Sequence, residues 1–293
     1  MINTIVQGIL LGGYYALIAA GLSFMFSVMR IINLAHGSLA VLAAYGLLVL
    51  AQTYGISPFL GLLIVLPAMA VLGLILQRLV LDRAMRAGQL VPILATFGLA
   101  IVIDNTLFEF FGANTRSLGN FIGALAYDSI ELPGKIYVGK VAVGVFVLAV
   151  IVLVGLQLFL SFTRYGRAIR ATAEDPDTAG LVGINARTAN AVASAIALAT
   201  VGLAGAALGM RVTFTAYSGA EQLLFAFEAA VIGGTGSIWG TLVGGIVLAV
   251  AQSIGATVSP QGFLPAGHAI FFVVLLVRIW LAGGLGAFLT RRA

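Results

Sequence analysis

The sequence predicts an all-α, polytopic transmembrane helical bundle, and three observations carry that assignment. The 293 residues are 61% hydrophobic and 9% charged, with a mean hydropathy of +1.13; a soluble domain is about 45–50% apolar and about 25% charged. Several stretches approach or exceed the roughly 20 apolar residues that cross a hydrocarbon core. Those stretches lack the period-2 alternation that a transmembrane barrel requires.

About eight to nine spans are expected, the shortest of them broken or re-entrant: Ile5–Phe26, Ser38–Gln52, Pro58–Leu79, Pro92–Phe111, Val138–Leu160, Asn190–Met210, Leu223–Ile238, Thr241–Val258 and Gly262–Val277. The first follows "MINT" with no basic segment before it, so it reads as a retained span and not as a cleaved signal. The second opens on "INLAHGS". Asn33 and His36 are three apart, near neighbours on a helical face. With Ser38 they suit either a half-helix aimed at a substrate carboxylate or plain capping of a helix end.

Farther along, "FGLAIVIDNTLFEFFG" places Asp104, Asn105 and Glu109 in the outer half of the fourth span. Water or a loop cation such as Arg116 would satisfy them there. Glu228 lies deeper, beside "GGTGSIWG", and is the strongest acidic candidate for a functional role, because carboxylates within spans usually face a cavity or a partner. Gly233, Gly234, Gly236 and Gly240 permit a tight turn and close helix contact, at a substrate path, at a seam between subunits, or in simple packing. Tyr14, Tyr15, Tyr54, Tyr127 and Tyr137 read as interface or loop aromatics. No metal site is expected, since neither His36 nor His268 has companion ligands in sequence.

Charge sets the orientation. Eleven of the 15 basic residues (Arg30, Arg78, Arg83, Arg86, Arg164, Arg167, Arg170, Arg187, Arg278, Arg291 and Arg292) fall in one set of connections, and Arg116, Lys135, Lys140 and Arg211 in the other. The positive-inside rule makes the first set cytoplasmic, with the N-terminus outside and the C-terminus inside. That rule also accounts for the net charge of +5 without nucleic acid. The chain has no cysteine, which excludes disulfides and thiolate chemistry.

The longest connection within the first set, residues 161–189, is unusually wet. Arg164, Arg167 and Arg170 recur every third residue on a short helix; Glu174 and Asp175 then form an acidic turn. Asp175–Pro176 reads as an N-cap with proline at the first helical position, Asp177 suits the positive end of that helix, and Gly183 stops it. A two-turn helix is marginal in water. It therefore packs on its own bundle or docks a partner.

Within this loop, "RAIRATAEDPDTAGLVGIN" resembles the coupling loop of permease subunits in bacterial branched-chain (hydrophobic) amino acid ABC transporters. The class includes importers of urea, amides and some aromatic acids. "GGYYALIAAGLSFMFSVMRIINLAHGSLAVLAAYG" and "FEAAVIGGTGSIWGTLVGGIV" are similar to the N-terminal and glycine-rich C-terminal signatures of that family, in the same order. The resemblance implies a single permease domain, residues 1–293, in the bacterial inner membrane. It also implies a second permease, identical or homologous, two cytoplasmic ATPase subunits that bind ATP and Mg, and an extracytoplasmic substrate-binding protein.

By position, Arg170, Ala173, Glu174, Asp175, Ala179, Leu181, Gly183 and Ile184 would meet the ATPase. Pro176 stands where the family often has other residues. No catalytic residue is expected: the chain has no G-x-x-x-x-G-K-[ST], and "GGTGSIWG" lacks the phosphate-reaching lysine. An ion-coupled carrier would share the broken helices and buried acids but has no need of a docking loop. An intramembrane enzyme would want paired carboxylates, a Ser–His or Ser–Lys arrangement, or metal ligands at inward positions; the spans hold no lysine paired with serine and no His cluster, which ranks that reading low.

Overall fold

The computed structural model describes residues 1–88 and 90–281. Helix α1 (Ile2–Met29) is the central post, with its side chains buried from Gly12 to Met25. It ends where Arg30 turns left-handed at φ 57° and its amide bonds back to Phe26. α2 (His36–Tyr54) and α9 (Ala186–Arg211) complete an inner layer. Around them stand α3 (Pro58–Leu76), α5 (Val91–Phe111), α6 (Lys140–Phe162), α11 (Ile238–Val258) and α12 (Phe263–Leu281). α3 runs on through a wider π turn, Gln77–Leu81, into α4 (Asp82–Ala87).

Small residues hold the inner layer together. A Cβ on Gly12 would lie 2.5 Å from the Ile246 backbone, and one on Gly205 would lie 2.1 Å from the Ala40 carbonyl oxygen. In lipid no hydrophobic drive brings helices together, so such close backbone approach supplies the dispersion contacts instead. The outer helices present Leu63, Ile64, Phe97, Val102, Ile151 and Phe272 outward, as lipid-facing or partner-facing surfaces do.

Among the described residues eight helices are long and apolar enough to span. The expected seventh span, Leu223–Ile238, is the exception. Residues Gly219–Gly233 form α10, a 15-residue helix of about 22 Å, short of a core about 30 Å thick. Gly234 and Gly236, both at positive φ, break the chain before α11. A second departure from the expected spans is a hairpin, β1 (Ser129–Leu132) with β2 (Ile136–Gly139), before α6. Its loop is Pro133–Gly134–Lys135, with Gly134 at φ 91° and Lys135 at φ 56°, a three-residue connection suited to antiparallel strands.

Two ends of the bundle are distinct. At the basic end, cavities join Arg30 to Met85 on α4 and to Arg170 beyond α6. At the other end Gln7 donates to the Tyr137 carbonyl, and Arg116 and Phe214 exchange backbone hydrogen bonds. Arg291 and Arg292 lie outside the described residues.

Candidate functional site

The loop at the basic end folds as two short helices, α7 (Arg164–Glu174) and α8 (Pro176–Leu181). Thr163 caps α7 by accepting from the Gly166 amide at 2.9 Å. Gly166 permits the sharp bend from α6, since a Cβ there would sit 2.1 Å from the Phe159 oxygen. Ile169 and Thr172 turn inward and are buried, while Arg170 and Glu174 are exposed and Ala173 is half-buried. Together with Arg30, Gly236 and Trp239, Arg170 and Glu174 line a cavity of about 410 Å³.

The cap expected at Asp175 forms. Its Oδ1 accepts from the amides of Asp177 at 3.0 Å and Thr178 at 3.1 Å, and its Oδ2 accepts from the Thr178 hydroxyl at 2.6 Å. Gly183, at φ 83°, ends the helix, and the Ile184 amide returns to the Ala179 carbonyl. Only part of the apolar set packs on the bundle: Ala179 is buried and Ile184 half-buried. Leu181 and Val182 are 87% and 74% exposed. Two adjacent large apolar side chains thus stand bare at the apex of a capped, hydrophilic loop.

Hydrogen bonds from the Thr178 hydroxyl, then from the Thr178 amide, hold the Asp175 carboxyl below its ordinary value. A depressed folded value means that the cap's contribution is fully present above the unfolded pKa, about 3.9, and is lost as pH falls through the lower folded value. In detergent-solubilised protein, the Thr178 methyl resonance is therefore expected to titrate with a midpoint below about 3.9. A midpoint above that value contradicts the cap.

The polar residues at depth separate into two groups. Asn33, His36 and Ser38 are all buried. Asn33 precedes α2, so it does not share a helical face with His36 as expected. Its Oδ1 accepts from the Ala35 amide at 3.0 Å, and its carbonyl accepts from the His36 amide. Nε2 of His36 lies 2.7 Å from the Ile18 carbonyl oxygen, about 16 Å along α1 from its Met29 end. α2 thus starts inside the bundle. Its N-terminus meets that of α10, where a Cβ on Gly37 would lie 1.9 Å from the Gly219 oxygen. On α5, Asn105 is exposed and accepts from the Tyr217 hydroxyl. Arg116 donates to the Phe111 carbonyl, and among the described residues it makes no ion pair with Asp104 or Glu109.

The second group surrounds α10. Glu228 is 1% exposed, and its Oε1 lies 2.6 Å from Nδ1 of His268 on α12. Sequence reasoning passed over His268 because the two are 40 residues apart. Oε2 of Glu228 has no hydrogen-bond partner among the described residues. Glu228→Gln keeps an acceptor for the imidazole but removes the charge; it is expected to lower uptake about tenfold while barely moving the melting temperature. Equal transport by the variant removes Glu228 from the working residues. Below it, Gly233 and Gly240 touch backbone to backbone, Arg278 donates to the Ile232 carbonyl at 3.0 Å, and the Gly236 amide donates to Ser23.

Tyr14 and Tyr15 are buried within the bundle and not on its outer face, and their hydroxyls donate to Gln222 and Gln252. Among the described residues no group of three His, Cys, Asp or Glu side chains converges as a metal site would require.

Residues 4–279 match the family described as the permease component of branched-chain amino acid transport systems. The chain is 30% identical over 289 residues to the high-affinity branched-chain amino acid transport system permease protein BraD of Pseudomonas aeruginosa, covering 94% of both chains. It is 30% identical over 285 residues to the corresponding LivH protein of Salmonella typhimurium, covering 92% of this chain and 91% of the relative. A probable branched-chain amino acid transport permease protein LivH of Methanocaldococcus jannaschii is 28% identical over 274 residues, covering 91% and 86%.

Proposed function

The chain belongs to the family of permease components of branched-chain amino acid transport systems, and on that premise we propose that it is the membrane-spanning subunit of an ATP-driven importer of branched-chain or other hydrophobic amino acids. One observation carries the ATP-driven part. The loop at the basic end ends in a capped helix with Leu181 and Val182 bare at its tip, which suits an apolar anchor for a pocket in a partner. An ion-coupled carrier has no use for such a projection.

In this reading the whole chain is one permease unit, with residues 161–189 as its coupling loop. The ATPases bind ATP and Mg and supply the energy; this subunit performs no hydrolysis. A second permease, identical or homologous, completes the path, and an extracytoplasmic binding protein delivers the cargo. The basic end, with Arg30, Arg86 and Arg170, faces the cytoplasm of a bacterial inner membrane, with the N-terminus outside and the C-terminus inside. α7 passes its movement directly to the bundle, because Ile169 is buried and Arg170 and Glu174 border the same cavity as the glycine turn. Closing of the ATPases would tilt the helices joined to that loop and expose the path alternately to each side.

The test is leucine uptake into proteoliposomes holding this chain with its partner permease, ATPases and binding protein. Accumulation should require ATP hydrolysis. Accumulation by the permeases alone on an ion gradient would replace the importer with a secondary carrier.

A further inference from the structure

At the end of the bundle opposite the coupling loop lies a cavity of about 270 Å³ between α1, α9, the start of α10 and the start of α12. Small-molecule pockets run roughly 300–1,000 Å³, so this one suits a molecule of amino-acid size. Its walls combine three chemistries. Leu208, Phe225 and Phe263 are apolar; Arg211 supplies a cation; Glu221, in the first turn of α10, supplies an anion. Among the described residues neither charge has an ion-pair partner, although both line the same small space.

Arg211 sits over an aromatic ring. Its guanidinium carbon lies 5.3 Å from the centre of the Tyr14 ring. A guanidinium over an aromatic face is attracted by the ring without using its N–H donors, and those donors match a carboxylate fork to fork. Tyr14 is itself buried, and its hydroxyl is committed to the equally buried Gln222, so the platform beneath Arg211 is rigid. The amide donors at the start of α10 add positive potential to the same side.

We propose that this cavity is a recognition site for the zwitterion of a hydrophobic α-amino acid. Arg211 takes the α-carboxylate, Glu221 takes the α-ammonium, and Leu208, Phe225 and Phe263 take the side chain. The site rests on the importer reading and deepens it: the permease itself reads the amino-acid headgroup as cargo leaves the binding protein. Neither charged residue stands out in the sequence, because Arg211 closes a helix and Glu221 opens one.

Ligand-observed NMR on the purified permease–ATPase complex, without nucleotide or binding protein, tests the site. The probes are leucine, leucinamide and 4-methylpentanoate, which lack respectively nothing, the carboxylate and the ammonium. The wild type should bind leucine saturably and each analogue about tenfold more weakly, since a charge-assisted hydrogen bond is lost in each case. Arg211→Gln should weaken leucine about tenfold and erase its advantage over leucinamide. Arg211→Lys should retain part of the binding, and Glu221→Gln should erase the preference over 4-methylpentanoate.

The wild-type analogue series needs no variant to fold. Absence of saturable leucine binding, equal binding of leucinamide, unchanged binding by Arg211→Gln, or a response to added phosphatidylglycerol alone would each overturn the site. Such a result alongside ATP-dependent leucine uptake removes the site and leaves the importer; ion-driven uptake removes the importer, whatever the binding pattern.

Discussion

Replacing Leu181 with Asp is expected to weaken association with the ATPase subunits about 30-fold or more and to abolish ATP-dependent uptake in proportion. The figure follows from hot-spot residues, whose removal costs about 2 kcal/mol or more. Leu181 fits that role by position: it is 87% exposed, stands beside Val182 at 74%, and lies on a helix held by the Asp175 cap. A charge at that point must be desolvated in any apolar pocket that receives it. The bundle should not notice, because substitutions at exposed positions stay within about 0.5 kcal/mol of neutral. The variant therefore separates docking from folding: unchanged melting temperature with lost copurification supports the assignment, and normal copurification with normal uptake refutes it.

The opposite pattern is expected for Gly233→Val. A Cβ at this position would lie 1.8 Å from the Gly240 oxygen and 2.2 Å from its carbonyl carbon. Gly240 reciprocates, its own Cβ position being 2.2 Å from the Gly233 oxygen. Both obstacles are backbone, so neither a rotamer change nor a shift of a flexible side chain relieves them. Overpacking of this kind costs about 1–3 kcal/mol and sometimes more, and here it also pries α10 from α11. Lower yield and a clearly lowered melting temperature should follow. Gly180→Ala in α8 is the control for folding, as nothing lies within 4 Å of its Cβ position; its melting temperature should match the wild type. A Gly233→Val protein with wild-type stability would mean that the two helices do not meet in this way.

The contrast between these sites also explains what could be read from the sequence. The two short helices of residues 161–189 were legible because their signals are local: Asp175 before Pro176, Gly183 after Leu181, and a density of charge unusual for this chain. The membrane class followed from composition, and the glycine turn from the clustering of Gly233, Gly234 and Gly236. What escaped depends on contacts across the bundle. Glu228 finds His268 only because α12 packs beside α10, and the buried Tyr14 finds its acceptor in Gln222, 208 residues away. The expected face shared by Asn33 and His36 failed because Asn33 spends its side chain on the turn before α2. Leu223–Ile238 looked like a span because apolar content continues through the glycines, although the helix stops at Gly233.

The absence of native cysteine allows the most direct test of the central claim. A single Leu181→Cys variant, in inner-membrane vesicles carrying the complete transporter, can be challenged with a bifunctional cross-linker and with a membrane-impermeant maleimide applied to the cytoplasmic face. The account expects cross-linking of Cys at that position to an ATPase subunit and protection from the maleimide while the complex is assembled. Full maleimide labelling and no ATPase adduct, in vesicles that still accumulate leucine, would contradict it.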